Sequence, residues 1–320
     1  MVVSALSAVL LVSLGFLTWR ETEVWRDSER LWRHVIAVRP SSGAYNNLGT
    51  ALLSQGRLGE ATEQFHRALA ISPTYEDAYY NLGLVLVKRG DLEAAIQNFR
   101  QALEIDPIDA RAHNNLAIAL IKRGELGAAI DHFRRVVELN PSDARAYNNL
   151  GSSLAQQGRP DEAVQYFRRA VELNPDDAGS RSNLARALLD EGDIDAALQH
   201  LRRALELNPK DAELHSALAM ILARRGELKD ASEHFKRALE LAPADARIQS
   251  NLAVTLAKSG DLNGAVTHFE EALRIDPNFA QAHGGLAQAL AIQGRRDEAM
   301  RHYQEAMRLL ESQNEAPATR

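Results

Sequence analysis

From Ser42 onward the apolar and small residues of the chain return with a period of 34. Repeats beginning at Ser42, Glu76, Ala110, Ala144, Ala178, Ala212, Ala246 and Ala280 align with no insertion. Leucine holds the seventh position from Leu48 to Leu286, and Gly or Ala the eighth from Gly49 to Ala287. Glycine holds the fifteenth from Gly56 to Gly294, and alanine the twentieth from Ala61 to Ala299. Proline holds the thirty-second in seven repeats, from Pro73 to Pro277. This pattern predicts two helices per repeat. The glycine ends the first, where a left-handed conformation costs a side chain too much. The proline ends the second, because it lacks an N–H and clashes with the preceding turn. Asp109, Asp143, Asp177, Asp211 and Asp245 then stand where the next helix needs an N-cap. Small residues at positions eight and twenty predict a close approach of the two helices. Leucine at seven and apolar pairs such as Leu103 with Ile105 fill the seam between repeats.

Outside this array the pattern changes. Residues 1–19 carry no charged side chain before Arg20. As a helix they would span about 28 Å, close to the roughly 30 Å of bilayer hydrocarbon. No Lys or Arg precedes the run, and its A-x-A-like site, Ser13 with Gly15, lies inside it. Both features favour a retained membrane helix over a cleaved signal. Residues 20–41 read as a capping helix and linker: Trp25, Ser28, Trp32 and Val35 share a face, and Pro40 stops it. At the other end Glu311 replaces the expected proline, so the last helix can run on before a disordered tail over 314–320.

A 34-residue helix–turn–helix unit with this alternation of small and large positions resembles the tetratricopeptide repeat. The resemblance covers residues 42–313. It implies an all-α, right-handed superhelical solenoid of eight tetratricopeptide repeats, here preceded by the membrane helix, with first helices lining a concave groove.

Composition narrows the chemistry. Net charge is −6, from 37 basic and 43 acidic residues, so no general attraction to nucleic acid is expected. The absence of cysteine removes disulfides, thiolate nucleophiles and cysteine metal sites. Basic pairs such as Arg134-Arg135 and Arg168-Arg169 are followed by Glu138 and Glu172 at helical spacing, which predicts a solvated outer face of i,i+4 ion pairs. Five of the ten histidines (His132, His200, His234, His268 and His302) occupy position twenty-three, one per repeat. That spacing is too wide for one ion to gather three of them. His113, His215 and His283 recur at position four, where other repeats carry Tyr45, Tyr79 and Tyr147. No phosphate-binding loop or paired nucleophile and base is recognisable. No active site, cofactor, metal or small-molecule substrate is expected.

One column does suggest binding. Position six is Asn47, Asn81, Asn115, Asn149, Asn183 and Asn251, interrupted at Ala217 and Gly285. An amide can both donate to and accept from a peptide backbone. The row resembles the asparagine ladder in the repeat region of O-linked N-acetylglucosamine transferases, which implies a grip on extended peptides. Leu84 and Ile118, at position nine, would flank it. Position five reads Asn46, Tyr80, Asn114, Asn148, Ser182 and Ser216. It lacks the lysines of the repeats that clamp a C-terminal carboxylate.

The expected function is a non-enzymatic, membrane-tethered interaction scaffold that binds an extended polypeptide in its groove. A second reading starts from the junction "TWRETEVWRDSERLWRHVIAVRP", which resembles that of the transmembrane and tetratricopeptide-repeat O-mannosyltransferases. It implies a substrate-presenting C-terminal fragment or relative of a membrane protein O-glycosyltransferase. The expected location is a single-pass membrane protein. The junction resemblance places the repeats outside the cytosol (periplasmic), while Arg20, Arg26, Arg30 and Arg33 after the apolar run argue for the cytoplasmic side.

Overall fold

The computed structural model describes residues 27–315, which form seventeen α-helices and, among these residues, no strand. A lone helix, α1 (Ser28–Val38), precedes eight helix pairs. The first helices of the pairs are α2 (Ser42–Ser54), α4 (Glu76–Arg89), α6 (Ala110–Arg123), α8 (Ala144–Gln156), α10 (Ala178–Asp190), α12 (Ala212–Arg225), α14 (Ala246–Lys258) and α16 (Ala280–Ile292). The second helices are α3 (Leu58–Ile71), α5 (Leu92–Ile105), α7 (Leu126–Leu139), α9 (Pro160–Leu173), α11 (Ile194–Leu207), α13 (Leu228–Leu241), α15 (Leu262–Ile275) and α17 (Arg296–Glu315). The chain divides into two compact units, one through Ser153 and the other from Leu154.

Most of the predicted signals have a visible mechanical role; the exception is Ile105, expected with Leu103 in the seam between repeats, which is 38% exposed at the end of its helix. All eight position-fifteen glycines adopt positive φ, from 76° at Gly56 to 91° at Gly260, so each first helix closes on a left-handed residue. The five aspartates predicted as N-caps accept backbone N–H groups at the starts of their helices; Asp211, for example, bonds Glu213 and Leu214. The position-twenty alanines are buried in every repeat. Across from them, in the first two repeats, position eight meets the position-twenty-four ring of the same repeat. A Cβ at Gly49 would stand 2.5 Å from Phe65, and one at Gly83 would stand 2.5 Å from Phe99. Alanine and glycine at the seam therefore set how closely the helix pair closes on a large aromatic.

Within each unit, successive first helices touch directly (α2 with α4, α4 with α6, α12 with α14, α14 with α16). Among the described residues no comparable contact joins successive second helices. The first helices thus form the inner layer and the second helices the outer one. At the N-terminal end Trp32 and Ile36 of α1 pack on the core of the first repeat around Leu48, Leu52 and Phe65. Trp25 lies outside the described residues.

Three expectations change. The predicted membrane helix over 1–19 lies outside the described residues, and among the described residues no helix is long and apolar enough to cross a membrane. The single-pass membrane location, and with it the tether, is therefore corrected. The last helix runs to Glu315, two residues into the segment expected as a tail. On the outer face the ion pairs form mainly at i,i+3, through the second arginine of each pair: Arg135 with Glu138 at 2.9 Å and Arg169 with Glu172 at 3.0 Å. Asp131 pairs with Arg134, also at i,i+3.

The tight seam makes a direct prediction. Ala163→Leu places three further carbons at a fully buried position of α9 and should destabilise the protein by about 1–3 kcal/mol. Thermal denaturation of the variant beside the parent checks this, and an unchanged melting curve would place the seam elsewhere.

Candidate functional site

Position six lies on the inner layer, at the junction between repeats. It points toward the preceding repeat, which explains why its residues are half-buried or buried rather than fully solvated. Asn81 is 8% exposed, and its Nδ2 donates to Asn46 Oδ1 at 2.9 Å and reaches Thr50 Oγ1 at 3.5 Å. One repeat later Asn115 Nδ2 donates to the Tyr80 hydroxyl at 3.0 Å and to the Arg111 carbonyl. The next rung repeats the move: Asn149 Nδ2 donates to Asn114 Oδ1 at 3.4 Å. The position-six amides of the second, third and fourth repeats are thus each tied to position five of the repeat before them.

These bonds use the NH2 end of the amide. Among the described residues nothing donates to the Oδ1 atoms of Asn81, Asn115 and Asn149. Three side-chain carbonyls therefore remain as acceptors on successive first helices, behind the half-buried Asn47. Leu84 and Ile118 stand one helical turn beyond Asn81 and Asn115, on the same face, and are half-buried. Tyr80 is fixed from both sides, since Arg111 lies 5.0 Å over its ring while its hydroxyl accepts from Asn115. Burial pushes the Tyr80 phenol above its usual value, so it remains protonated. The hydrogen bond to Asp109, with a second to Asp77, holds the Arg111 guanidinium firmly charged.

In the second unit the remaining rungs are arranged differently. Asn183 Oδ1 accepts from Arg186 Nη2 at 2.7 Å. Asn251 lines a groove cavity of about 480 Å³ with Met220, Ile248 and Phe279, and Ala217 contributes to the same wall. At Gly285 the Phe269 ring takes up the space of a side chain: a Cβ there would stand 2.3 Å from Phe269 Cζ. The row is therefore one arrangement of Asn81, Asn115 and Asn149 in the first unit, and separate environments for Asn183 and Asn251 in the second. The position-five partners escaped the sequence reading. Their signal was the run of hydrogen-bonding residues Asn46, Tyr80 and Asn114, each 35 residues before its rung. Among the described residues no three His, Asp or Glu side chains converge as a metal-ligand set.

Comparison with known proteins places this geometry. A family model described as the cilia and flagella-associated protein 70 C-terminal domain matches residues 23–250, and one described as tetratricopeptide repeat matches residues 256–316. The protein O-mannosyl-transferases Tmtc2 and Tmtc1 of Drosophila melanogaster are 39% and 40% identical to this chain over 70 residues. That stretch is 22% of this chain but only 7% and 8% of those relatives. Among solved structures, PilF of Pseudomonas aeruginosa is 26% identical with a TM-score of 0.59, over 67% of this chain and 97% of that one. The Cut9-Hcn1 hetero-tetramer of the APC/C gives a TM-score of 0.62 at 20% identity, over 82% of this chain and 52% of that one, and shows a shared fold.

The bonded rungs carry a stability prediction. Asn81→Ala leaves the buried Asn46 carbonyl without its donor and should cost about 1–3 kcal/mol. Asn251→Ala removes a half-buried amide and should fall within about 0.5 kcal/mol of the parent. Equal losses in denaturant titrations would show that the repeat-to-repeat bond does not distinguish the two sites.

Proposed function

The chain belongs to the family of the cilia and flagella-associated protein 70 C-terminal domain, an array of tetratricopeptide repeats, and from that premise we propose that it holds an extended polypeptide along the first helices of residues 42–153. The coarser part of this reading, a repeat scaffold for protein–protein interaction, follows from the family and fold. The finer part rests on one observation: the amides of Asn81, Asn115 and Asn149 are anchored by their NH2 ends and keep their carbonyl ends for an incoming donor.

The spacing suits a polypeptide backbone. Packed helices stand about 8–10 Å apart, and an extended chain advances about 3.3 Å per residue. Successive rungs would therefore meet every third residue and accept its N–H. Each such bond contributes about 0.5–1.5 kcal/mol net, independent of side-chain identity. Leu84 and Ile118 supply the apolar surface that discriminates among side chains. Asn47 extends the row toward the N-terminus. Asn183 and Asn251 belong to the second unit and would contact a ligand through different local chemistry.

A second reading keeps the same groove but gives it an enzymatic context. The likeness to Tmtc2 and Tmtc1 supports a repeat region that presents acceptor polypeptides to a protein O-glycosyltransferase. On either reading the ligand is an extended chain.

Selection of a displayed random-peptide library on the purified protein tests the proposal. Recovered peptides should share apolar residues at a three-residue spacing, and Leu84→Glu with Ile118→Glu should abolish their binding while the helical fold persists. Asn115→Ala should weaken binding by roughly 2- to 10-fold, the equivalent of one lost backbone bond. Peptides that bind the parent and the Leu84→Glu, Ile118→Glu variant equally would overturn the assignment.

A further inference from the structure

The two histidine columns, which look independent along the chain, meet in space. His113 of α6 and His132 of α7 face each other with Nδ1 atoms 2.9 Å apart. His215 and His234 repeat the contact at 3.0 Å, and His283 and His302 at 2.9 Å. The ring centroids are 5.1, 5.3 and 5.2 Å apart, only about two ring radii more than the nitrogens, so both Nδ1 atoms lie close to the line joining the ring centres. Two lone pairs aimed at each other across this distance leave no room for a metal ion between them. They require one shared proton.

The surrounding bonds decide which ring carries it. The Nε2 of each position-four histidine lies 3.2, 3.2 or 3.1 Å from the carbonyl oxygen of Pro107, Pro209 or Pro277, an acceptor only. The neutral ring therefore keeps its proton on Nε2 and offers a bare Nδ1. Its partner at position twenty-three must then be the Nδ1–H tautomer and donate. Each pair clasps three elements: the turn after the preceding repeat, the first helix and the second helix.

We propose that the pairs His113–His132, His215–His234 and His283–His302 are pH-sensitive clasps that hold the two helices of their repeats together near neutrality and open on acidification. A clasp can accept one proton, at Nε2 of the position-twenty-three ring, and keep its N–H···N bond. The second proton can go only to the Nδ1 that is accepting that bond. It ends the bond and sets two cations in contact. In the unfolded chain both rings take protons freely below about pH 6.5. The folded pair therefore binds fewer protons than the unfolded one in acid. Stability is present in full above the ordinary imidazole value and is lost as the pH falls below it.

The charged neighbours differ between clasps without changing this sign. His132 is flanked by Arg100 and Asp131, and His234 by Arg202, Asp230 and Glu233. His302 is flanked by Arg301, Glu270 and Glu298, with Glu305 acting on His283. Burial first, and the facing histidine second, hold His132, His234 and His302 below the usual imidazole value.

The chain contains its own control. In the seventh repeat Gln249 occupies position four, and its Oε1 lies 2.7 Å from His268 Nδ1. A glutamine carbonyl accepts from neutral or protonated histidine alike, so this pair has no opening step. The test copies it three times, as His113→Gln, His215→Gln and His283→Gln in one chain. Between about pH 7.5 and about pH 5.5, below the imidazole value, each clasp can shift the unfolding equilibrium by up to about tenfold per pH unit. The parent's melting temperature should therefore fall with acidification markedly more than that of the triple variant. Parallel pH profiles in two chains that are equally helical at neutral pH would overturn the proposal. Imidazole ¹⁵N spectra of the parent decide independently, and do so even if the triple variant fails to fold. At neutral pH His132, His234 and His302 should be Nδ1–H tautomers and His113, His215 and His283 Nε2–H tautomers. The Nε2–H form at position twenty-three would refute the clasp.

Discussion

The close approach of two helices at each repeat's small-residue seam is the constraint on which the remaining features depend. Position-twenty alanine lets the second helix lie against the first, and the position-twenty-four ring then fills the space over position eight, as Phe65 does over Gly49 and Phe99 over Gly83. A repeat array has no long-range contacts to correct an error in one seam, because each repeat meets only its neighbours. The separation set there also fixes what can span it. Two imidazoles meet nitrogen to nitrogen at 2.9 Å only if their helices stand at a single distance. The same distance, carried into the next repeat, brings Asn81 against Asn46.

Much of this was legible in the sequence because the signals are local or are repeated eight times. A glycine with positive φ announces itself in one column, and an aspartate N-cap needs only the three residues that follow it. The asparagine column was legible as a column but not as an environment. Position six looks like a solvated groove position on a helical wheel, yet the neighbouring repeat covers Asn81 almost completely. Its position-five partner lies 35 residues away, an offset that no helical periodicity marks. The histidines were hidden for the same reason. Positions four and twenty-three belong to different helices, and only their joint occupation by histidine in the third, sixth and eighth repeats carried the signal. The outer ion pairs missed by one residue because Arg135 reaches Glu138 across three residues, a geometry as open to a long side chain as four.

An amide that holds two repeats together and, on the proposed reading, would also meet a ligand would link stability to binding. Asn115 illustrates this: its NH2 group is shared between Tyr80 and the Arg111 carbonyl, and Tyr80 is itself fixed under Arg111. Its Oδ1 is therefore aimed before any ligand arrives, and little side-chain entropy remains to be lost on binding. A solvated asparagine would have to be ordered at the moment of contact. The partial burial of the row is thus consistent with a recognition surface, and it fits the hydrogen-bonding residues found at both positions five and six in the first four repeats.

The outer layer points the same way by its electrostatics. Arg135, Arg169, Arg203 and Arg237 would form a basic stripe along the second helices if considered alone. Each is instead held by a glutamate three residues on, at 2.9, 3.0, 2.8 and 2.5 Å. A polyanion using any of these four arginines would have to displace its carboxylate. The first helices of the first unit present the opposite balance, with amide carbonyls that have no internal donor beside the aliphatic Leu84 and Ile118. These four arginines have their carboxylate partners while the three amides keep an open carbonyl, and on that contrast recognition is proposed on the first helices.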